Sequence, residues 1–171
     1  KAISEVTSIP GKKVILFGAG GAARAIGVEM ALAGAASITI LNIDDAGQEL
    51  ADLLNGKTSA KADFVLWNYS YRIPADTDIV INATSVGLYP NVDQRLNMDS
   101  DTLLPHMVVA GCIPNPVYTH FVKDAMARGC HHVLPGMNML VNQAVIAVKY
   151  WTGVDVDAEV MRNELKRVLG L

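Results

Sequence analysis

Basic residues are scarce in this chain: 14 Lys and Arg stand against 17 Asp and Glu, for a net charge of −3 at pH 7 and a pI near 5.7. That balance removes any electrostatic case for nucleic acid or an anionic membrane surface as the partner. Long apolar runs are missing as well. The longest are strand-length, so none suits a bilayer-spanning helix. Cysteine is nearly absent. Cys112 and Cys130 lack the spacing of a metal site and read as free thiols in a reducing, cytoplasmic compartment. There is no internal repeat and no low-complexity stretch. The opening Lys1-Ala-Ile-Ser-Glu5 has neither the apolar core of a secretory signal nor an initiator Met, so the chain is expected to be cut from something longer. What remains is 171 residues, 51% hydrophobic and 18% charged. That suits one domain with a sizeable core and a helical appendage.

The chain is organised around Val14-Ile-Leu-Phe-Gly-Ala-Gly-Gly-Ala-Ala-Arg-Ala25. Four apolar residues, Val14 to Phe17, read as a strand buried on both faces. Gly18-x-Gly20-x-x-Ala23 follows at once, and a helical apolar pattern at Ile26, Met30 and Ala33 follows that. This is the order a dinucleotide-binding turn needs. Gly18 permits the tight turn, Gly20 lets a pyrophosphate approach the backbone, and Ala23 lets the helix pack close to the strand. The N–H groups around Gly18, Ala19, Gly20, Gly21 and Ala22 then face the phosphates at the positive end of the helix dipole. The bland alternative is a glycine turn that serves packing only.

The end of the second strand, Ser37 to Leu41, decides which nicotinamide dinucleotide fits. A carboxylate there binds the adenosine ribose hydroxyls of NAD, and an Arg accommodates the 2′-phosphate of NADP. The residues are Asn42-Ile-Asp44-Asp45, with no Arg or Lys between Arg24 and Lys57. Asn42 and Asp44 are therefore assigned to the cofactor, with NAD preferred and NADP as the other candidate. The competing role for Asp44 or Asp45 is to cap the next helix.

That helix is expected over Ala46–Leu54, ending at Asn55-Gly56. A third strand is expected over Asp63–Tyr69, a loop over Ser70–Thr77, a fourth strand over Asp78–Asn82 and an exposed loop over Leu88–Ser100. Asn82-Ala-Thr-Ser-Val-Gly87 lies at the carboxyl end of the sheet, where ligands bind in open α/β folds. Met107–Gly111 is the fifth strand and Cys130–Leu134 the sixth. Helices are expected over Thr119–Arg128, Met137–Thr152 and Asp157–Leu169. Six strands alternating with helices make an α/β protein with a doubly wound, Rossmann-like parallel sheet and a C-terminal helical segment.

With these segments placed, the chain resembles the C-terminal, NAD(P)-binding domain of shikimate and quinate/shikimate dehydrogenases. The resemblance rests on Gly18-Ala-Gly-Gly-Ala-Ala-Arg-Ala25, Asn82-Ala-Thr-Ser-Val-Gly87, Ile113-Pro-Asn-Pro116 with Thr119, and Met139-Leu-Val-Asn-Gln143-Ala. The trailing Trp151-Thr-Gly153 also fits, and the matches run in the family's order along nearly the whole chain. Asn42-Ile-Asp44 looks more like the NAD-using branch than the NADP-using one.

The resemblance implies an oxidoreductase of two domains. An N-terminal domain absent from this chain would bind a shikimate- or quinate-class substrate and carry a catalytic Lys–Asp pair, so no residue here is assigned as catalytic. Asn82, Ala83, Thr84, Ser85, Cys112, Gly136 and Met139 would line the nicotinamide side, and Gln143 would reach a substrate hydroxyl. Each has a plainer reading. Thr84 and Ser85 can serve the loop backbone, Cys112 can be a small buried hydrophobe, Met139 can be core packing, and Gln143 can be an exposed helix glutamine.

The chain departs from the family at Gly111 and Pro135, where Asp is usual, and at Asn138, where Gly is usual. Those sites flank the nicotinamide pocket and bear on the substrate. His131 and His132 lack a third ligand, so no metal is expected. Two further classes stay open: another Rossmann dehydrogenase of the methylene-tetrahydrofolate or glutamyl-tRNA reductase type, and a non-catalytic NAD-binding module. Homodimer formation is left open too.

Overall fold

The computed structural model describes residues 2–170. Eight strands are formed: β1 (Lys13–Phe17), β2 (Ser37–Asn42), β3 (Lys61–Leu66), β4 (Tyr71–Arg72), β5 (Ile79–Asn82), β6 (Met98–Asp99), β7 (Val108–Gly111) and β8 (His132–Leu134). Five α-helices accompany them among the described residues: α1 (Gly21–Leu32), α2 (Ala46–Lys57), α3 (His120–Ala127), α4 (Gly136–Thr152) and α5 (Ala158–Leu169). Six of the strands form one sheet in the order β3-β2-β1-β5-β7-β8, every pair parallel. The order reverses at β1, which pairs with β2 on one side and β5 on the other. An open α/β sheet leaves its ligand crevice at such a reversal, beyond the carboxyl ends of the strands.

Apolar side chains cover both faces of the sheet, as the near-continuous hydrophobic strands require. Val14, Leu16, Ile38, Ile40, Ile79 and Ile81 pack with Leu50, Leu54 and Met30 beneath α1 and α2. The alternate residues Ile15, Phe17, Val80 and Val109 pack with Phe121 and Val122 of α3 on the other face. Alternation of side chains along each strand separates the two layers.

Helix ends follow the local chemistry. Gly34 takes a φ of 90° just past α1, the left-handed position where glycine meets no Cβ penalty. The Asp157 carboxylate accepts the Glu159 N–H at 2.8 Å at the start of α5, and Thr119 accepts the Val122 N–H at the start of α3.

Three expectations are corrected. The second helix does not stop at Leu54 but runs to Lys57. Asn55 is no turn residue: its side chain donates to the Ala62 carbonyl at 2.7 Å and accepts the Ala62 N–H at 2.9 Å, tying the helix end to β3. The third strand is not Asp63–Tyr69. Its register with β2 runs from Ser37↔Lys61 to Asn42↔Leu66, and it ends where β2 ends. Trp67 then turns inward, with its indole N–H donating to the Asn97 carbonyl at 2.8 Å. The expected loops over Ser70–Thr77 and Leu88–Ser100 contribute the two-residue parallel pair of β4 and β6. Hydrophobic periodicity is blind to pairing this short.

Leu16 is fully buried in the central strand. Leu16→Ala should lower unfolding stability by about 2–5 kcal/mol, as for other core leucines replaced by alanine. Urea denaturation followed by circular dichroism measures it.

Candidate functional site

The loops after β1 and β5 meet at the strand reversal. Ala83 donates its N–H to the Phe17 carbonyl at 2.9 Å, and Gly18 donates to the Leu41 carbonyl at 2.8 Å. Gly18 has a φ of 104°, and a Cβ there would lie 3.0 Å from the Ala83 carbonyl oxygen. Both the backbone angle and the close approach require glycine. At Gly20 and Gly21, by contrast, a Cβ would meet nothing within 4 Å. These two glycines border open space at the start of α1. The helix has no side-chain cap, so its first-turn N–H groups are available to an anion. A pyrophosphate fits this cradle.

Beyond the cradle the site divides. At the β2 end, Asp44 Oδ1 accepts from the Asn42 side-chain amide at 2.7 Å and from the Ala46 N–H at 3.0 Å. Asp44 is therefore the residue that caps α2. Asp45 sits at the cap position but its side chain makes no capping bond, so of the two candidates Asp44 takes that role. The two bonds fix the Asp44 carboxylate while Oδ2 has no hydrogen-bond partner among the described residues. Ile43 between them is 73% exposed.

On the other side, a cavity of about 610 Å³ opens between α1 and α4 over β5, β7 and β8. Ala22, Ile26, Met30, Leu134 and Met139 make it largely apolar, with Gln143 among its polar residues. Cys112, Gly111 and Pro135 also line it. Thus the cavity brings together Gly21, Ala22, Cys112, Met139 and Gln143 of the predicted site residues, but not Gly18, Ala19, Gly20, Asn42, Asp44, Asn82, Ala83, Thr84, Ser85 or Gly136. Thr84 serves the loop: its hydroxyl donates to Asn82 Oδ1 at 2.7 Å and accepts the Val86 N–H at 3.1 Å. Asn82, itself buried, also accepts the Thr84 N–H at 3.0 Å. Ser85 is exposed.

Gly136 opens α4 directly against the exit of β7. A Cβ there would lie 2.4 Å from the Ile113 carbonyl oxygen, so only glycine lets α4 approach. That approach sets the positions of Met139 and Gln143 one and two turns later. Burial alone pushes the Cys112 thiol up to about 11, which keeps it protonated near neutrality and unsuited to nucleophilic work.

Sequence reasoning missed one element. Arg24 of α1 donates from Nε to the Ala19 carbonyl at 3.3 Å and from Nη2 to Glu49 of α2 at 2.8 Å. Only the packing of α1 on α2 brings these residues together, so no local sequence signal points to the pair. No group of three His, Cys, Asp or Glu that could hold a metal ion exists among the described residues, and no helix there is long and apolar enough to cross a membrane.

The sheet order and the glycine turn at its reversal define a Rossmann-type domain. Comparison with known proteins narrows the assignment. The family model for the shikimate 5′-dehydrogenase C-terminal domain matches residues 136–166. The shikimate dehydrogenase (NADP(+)) of Desulforamulus reducens is 38% identical over 92% of this chain and 55% of its own length. Among solved structures, ligand-free 5-ketofructose reductase of a Gluconobacter species aligns with a TM-score of 0.91 and 47% identity, over 98% of this chain and 60% of that one. Shikimate 5-dehydrogenase from Listeria monocytogenes, in complex with shikimate and NAD, aligns with a TM-score of 0.80 and 29% identity, over 98% of this chain and 59% of that one. The chain belongs to the shikimate/quinate dehydrogenase family. It spans little more than half the length of these relatives.

Two outcomes follow from the geometry. Alkylation of Cys112 in the folded protein should be slow at about pH 8 and accelerate toward about pH 11, whereas in urea it should follow an ordinary thiol; mass spectrometry of the Cys112 peptide reads it. Gly136→Ala should cost about 1–3 kcal/mol through overpacking against backbone, read by urea denaturation, and should weaken dinucleotide binding, read by calorimetry.

Proposed function

We propose that this chain is the cofactor-binding domain of an NAD(P)-dependent oxidoreductase whose substrate domain precedes it in the intact protein. The reaction is hydride transfer between nicotinamide and a hydroxyl or ketone carbon of a shikimate- or quinate-class ring, in aromatic amino acid or quinate metabolism. The observation that carries this reading is the open cradle at Gly20 and Gly21, at the strand reversal and at an uncapped helix N-terminus. The dinucleotide, when bound, supplies or accepts the hydride. The chain's own work is to hold it. The N–H groups of Gly20, Gly21 and Ala22 take the pyrophosphate, and Asn42 and Asp44 take the adenosine ribose. Gly18, Ala19, Asn82 and Ala83 build the wall of the crevice, with Thr84 and Ser85 in the loop that closes it. Cys112, Gly136 and Met139 shape the apolar wall for nicotinamide, where exclusion of water favours hydride transfer over side reactions. Gln143, exposed on α4, offers an amide to a substrate hydroxyl across the cleft. A Lys–Asp pair from the preceding domain would manage the hydroxyl proton. A cytoplasmic location goes with this reading, since Cys112 and Cys130 are free thiols.

NAD is the preferred cofactor in this proposal. Asp44 is held at the β2 end by two hydrogen bonds, and a 2′-phosphate placed there would meet a carboxylate at close range. NADP, which appears in the name of the Desulforamulus relative, is the competing choice.

A second reading concerns the substrate. The 5-ketofructose reductase alignment has the higher identity of the two structures above, and Gly111 and Pro135 line the cavity where the family usually carries carboxylates. This reading assigns a keto-sugar in place of a cyclohexane carboxylate.

The test is a rate panel on the full-length protein, with shikimate, quinate and 5-ketofructose each paired with both nicotinamide cofactors. Turnover of shikimate or quinate with NAD supports the first reading, and reduction of 5-ketofructose alone supports the second. No turnover of any of the three, with dinucleotide binding intact, would overturn both in favour of another Rossmann dehydrogenase or a binding module. Asp44→Asn keeps the helix cap while removing the charge. It should weaken NAD binding by about tenfold, the scale of a charge-assisted hydrogen bond to ribose.

A further inference from the structure

The only basic side chain of α1, Arg24, bridges the glycine turn and the first turn of α2. Its Nε donates to the carbonyl of Ala19 in the glycine turn, and its Nη2 reaches Glu49 in the first turn of α2. Asp44, whose carboxylate caps that same turn, stands at the β2 end where an adenosine ribose is recognised. No other Arg or Lys occurs between Arg24 and Lys57, at the far end of α2. Arg24 is thus the one cation of α1 and the β2–α2 connection that could answer a 2′-phosphate, and it is tied to a carboxylate.

That tie does little for stability. The Arg24 and Glu49 side chains are 40% and 70% exposed, and ion pairs so open to water contribute little to folding. It does more for charge. Glu49 compensates Arg24 on the spot and leaves Asp44 and Asp45 uncompensated beside it, so an incoming dianion meets a site of net negative charge. A ribose 2′-hydroxyl, which can donate to Asp44, meets no such opposition.

We infer that Glu49 is a positioning residue for cofactor choice: by holding Arg24 it withholds the one nearby guanidinium from a 2′-phosphate and so disfavours NADP against NAD. The inference rests on the NAD reading above and adds to it the residue that enforces it. Arg24 needs no new backbone position to serve NADP. Releasing its Nη2 is the change required, and the Ala19 contact keeps the stem near the glycine turn.

The experiment is calorimetric titration of the full-length protein with NAD and with NADP, in wild type, Glu49→Gln, Glu49→Asp and the double variant Arg24→Ala/Glu49→Gln. Glu49→Gln should bind NADP about five- to tenfold more tightly, the scale of one charge-assisted contact in an exposed site, with NAD affinity changed by less than about twofold. Glu49→Asp should remain close to wild type. The double variant should lose the gain, since the gain needs Arg24. A gain that persists in the double variant would overturn the inference, because the gain would then not need Arg24. Unchanged NADP affinity in Glu49→Gln would overturn it as well. A purely structural role for Glu49 would lower the affinity for both cofactors together, and that result counts against the inference too. The NAD reading is judged separately, by the wild-type ratio: NADP binding as tight as NAD would overturn that reading, whatever Glu49→Gln does.

Discussion

The close approach of Gly18 to the Ala83 carbonyl, 3.0 Å for the Cβ that glycine lacks, is the constraint on which the rest of this molecule hangs. It joins the loops that leave β1 and β5, the neighbouring strands at which the sheet order reverses. A side chain at Gly18 would press on the Ala83 carbonyl, beside the Ala83 N–H that donates to the Phe17 carbonyl at 2.9 Å. The Asn82–Thr84–Val86 hydrogen bonds stiffen the β5 loop from within. This backbone contact brings the two loops together at the strand reversal.

The same device recurs at the other end of the site. Gly136 sits where a Cβ would fall 2.4 Å from the Ile113 carbonyl oxygen, so α4 is placed by backbone-to-backbone packing. The cavity between α1 and α4 lies beside these two contacts, lined by Cys112, Pro135 and Met139 next to Gly136 and Ile113. Its lining can then vary at Gly111 and Pro135 without moving the walls, because neither residue carries the spacing. A family with a fixed hydride geometry and a changing substrate would be expected to divide the work in this way.

Much of this was legible in the sequence. The buried strand, Gly18-x-Gly20-x-x-Ala23 and the apolar helix repeat sufficed for β1, α1 and the cradle. The periodicity of Ile79–Ile81 and Val108–Ala110 sufficed for the strands beyond. What was not legible was anything set by contacts distant in sequence. Asn55-Gly56 reads as a helix stop, yet Asn55 bonds the backbone of Ala62 and the helix continues. Trp67 reads as strand, yet it folds inward to the Asn97 carbonyl. Asp44 and Asp45 read equally well as the cap, but it is Asp44, pinned by Asn42, that accepts the Ala46 N–H. Arg24 reads as an ordinary helix cation until α2 packs beside it and supplies Glu49. In each case a side chain found a backbone or charge partner that no local pattern announces.

The placement of carboxylates around α2 has a consequence for how cofactor choice can change. Asp44, Asp45 and Glu49 all lie at the start of that helix, where its dipole favours negative charge. Acidic residues there are locally comfortable whether or not a ribose is bound, so their presence alone is weak evidence of function. Basic residues in the same turn would oppose the dipole and would have to be compensated by the phosphate itself. Moving such a site toward NADP by adding cations to α2 therefore works against the helix, while releasing a cation already held on α1 does not. Arg24, anchored through Ala19 and tethered through a single carboxylate, is the group through which the change meets the least structural resistance.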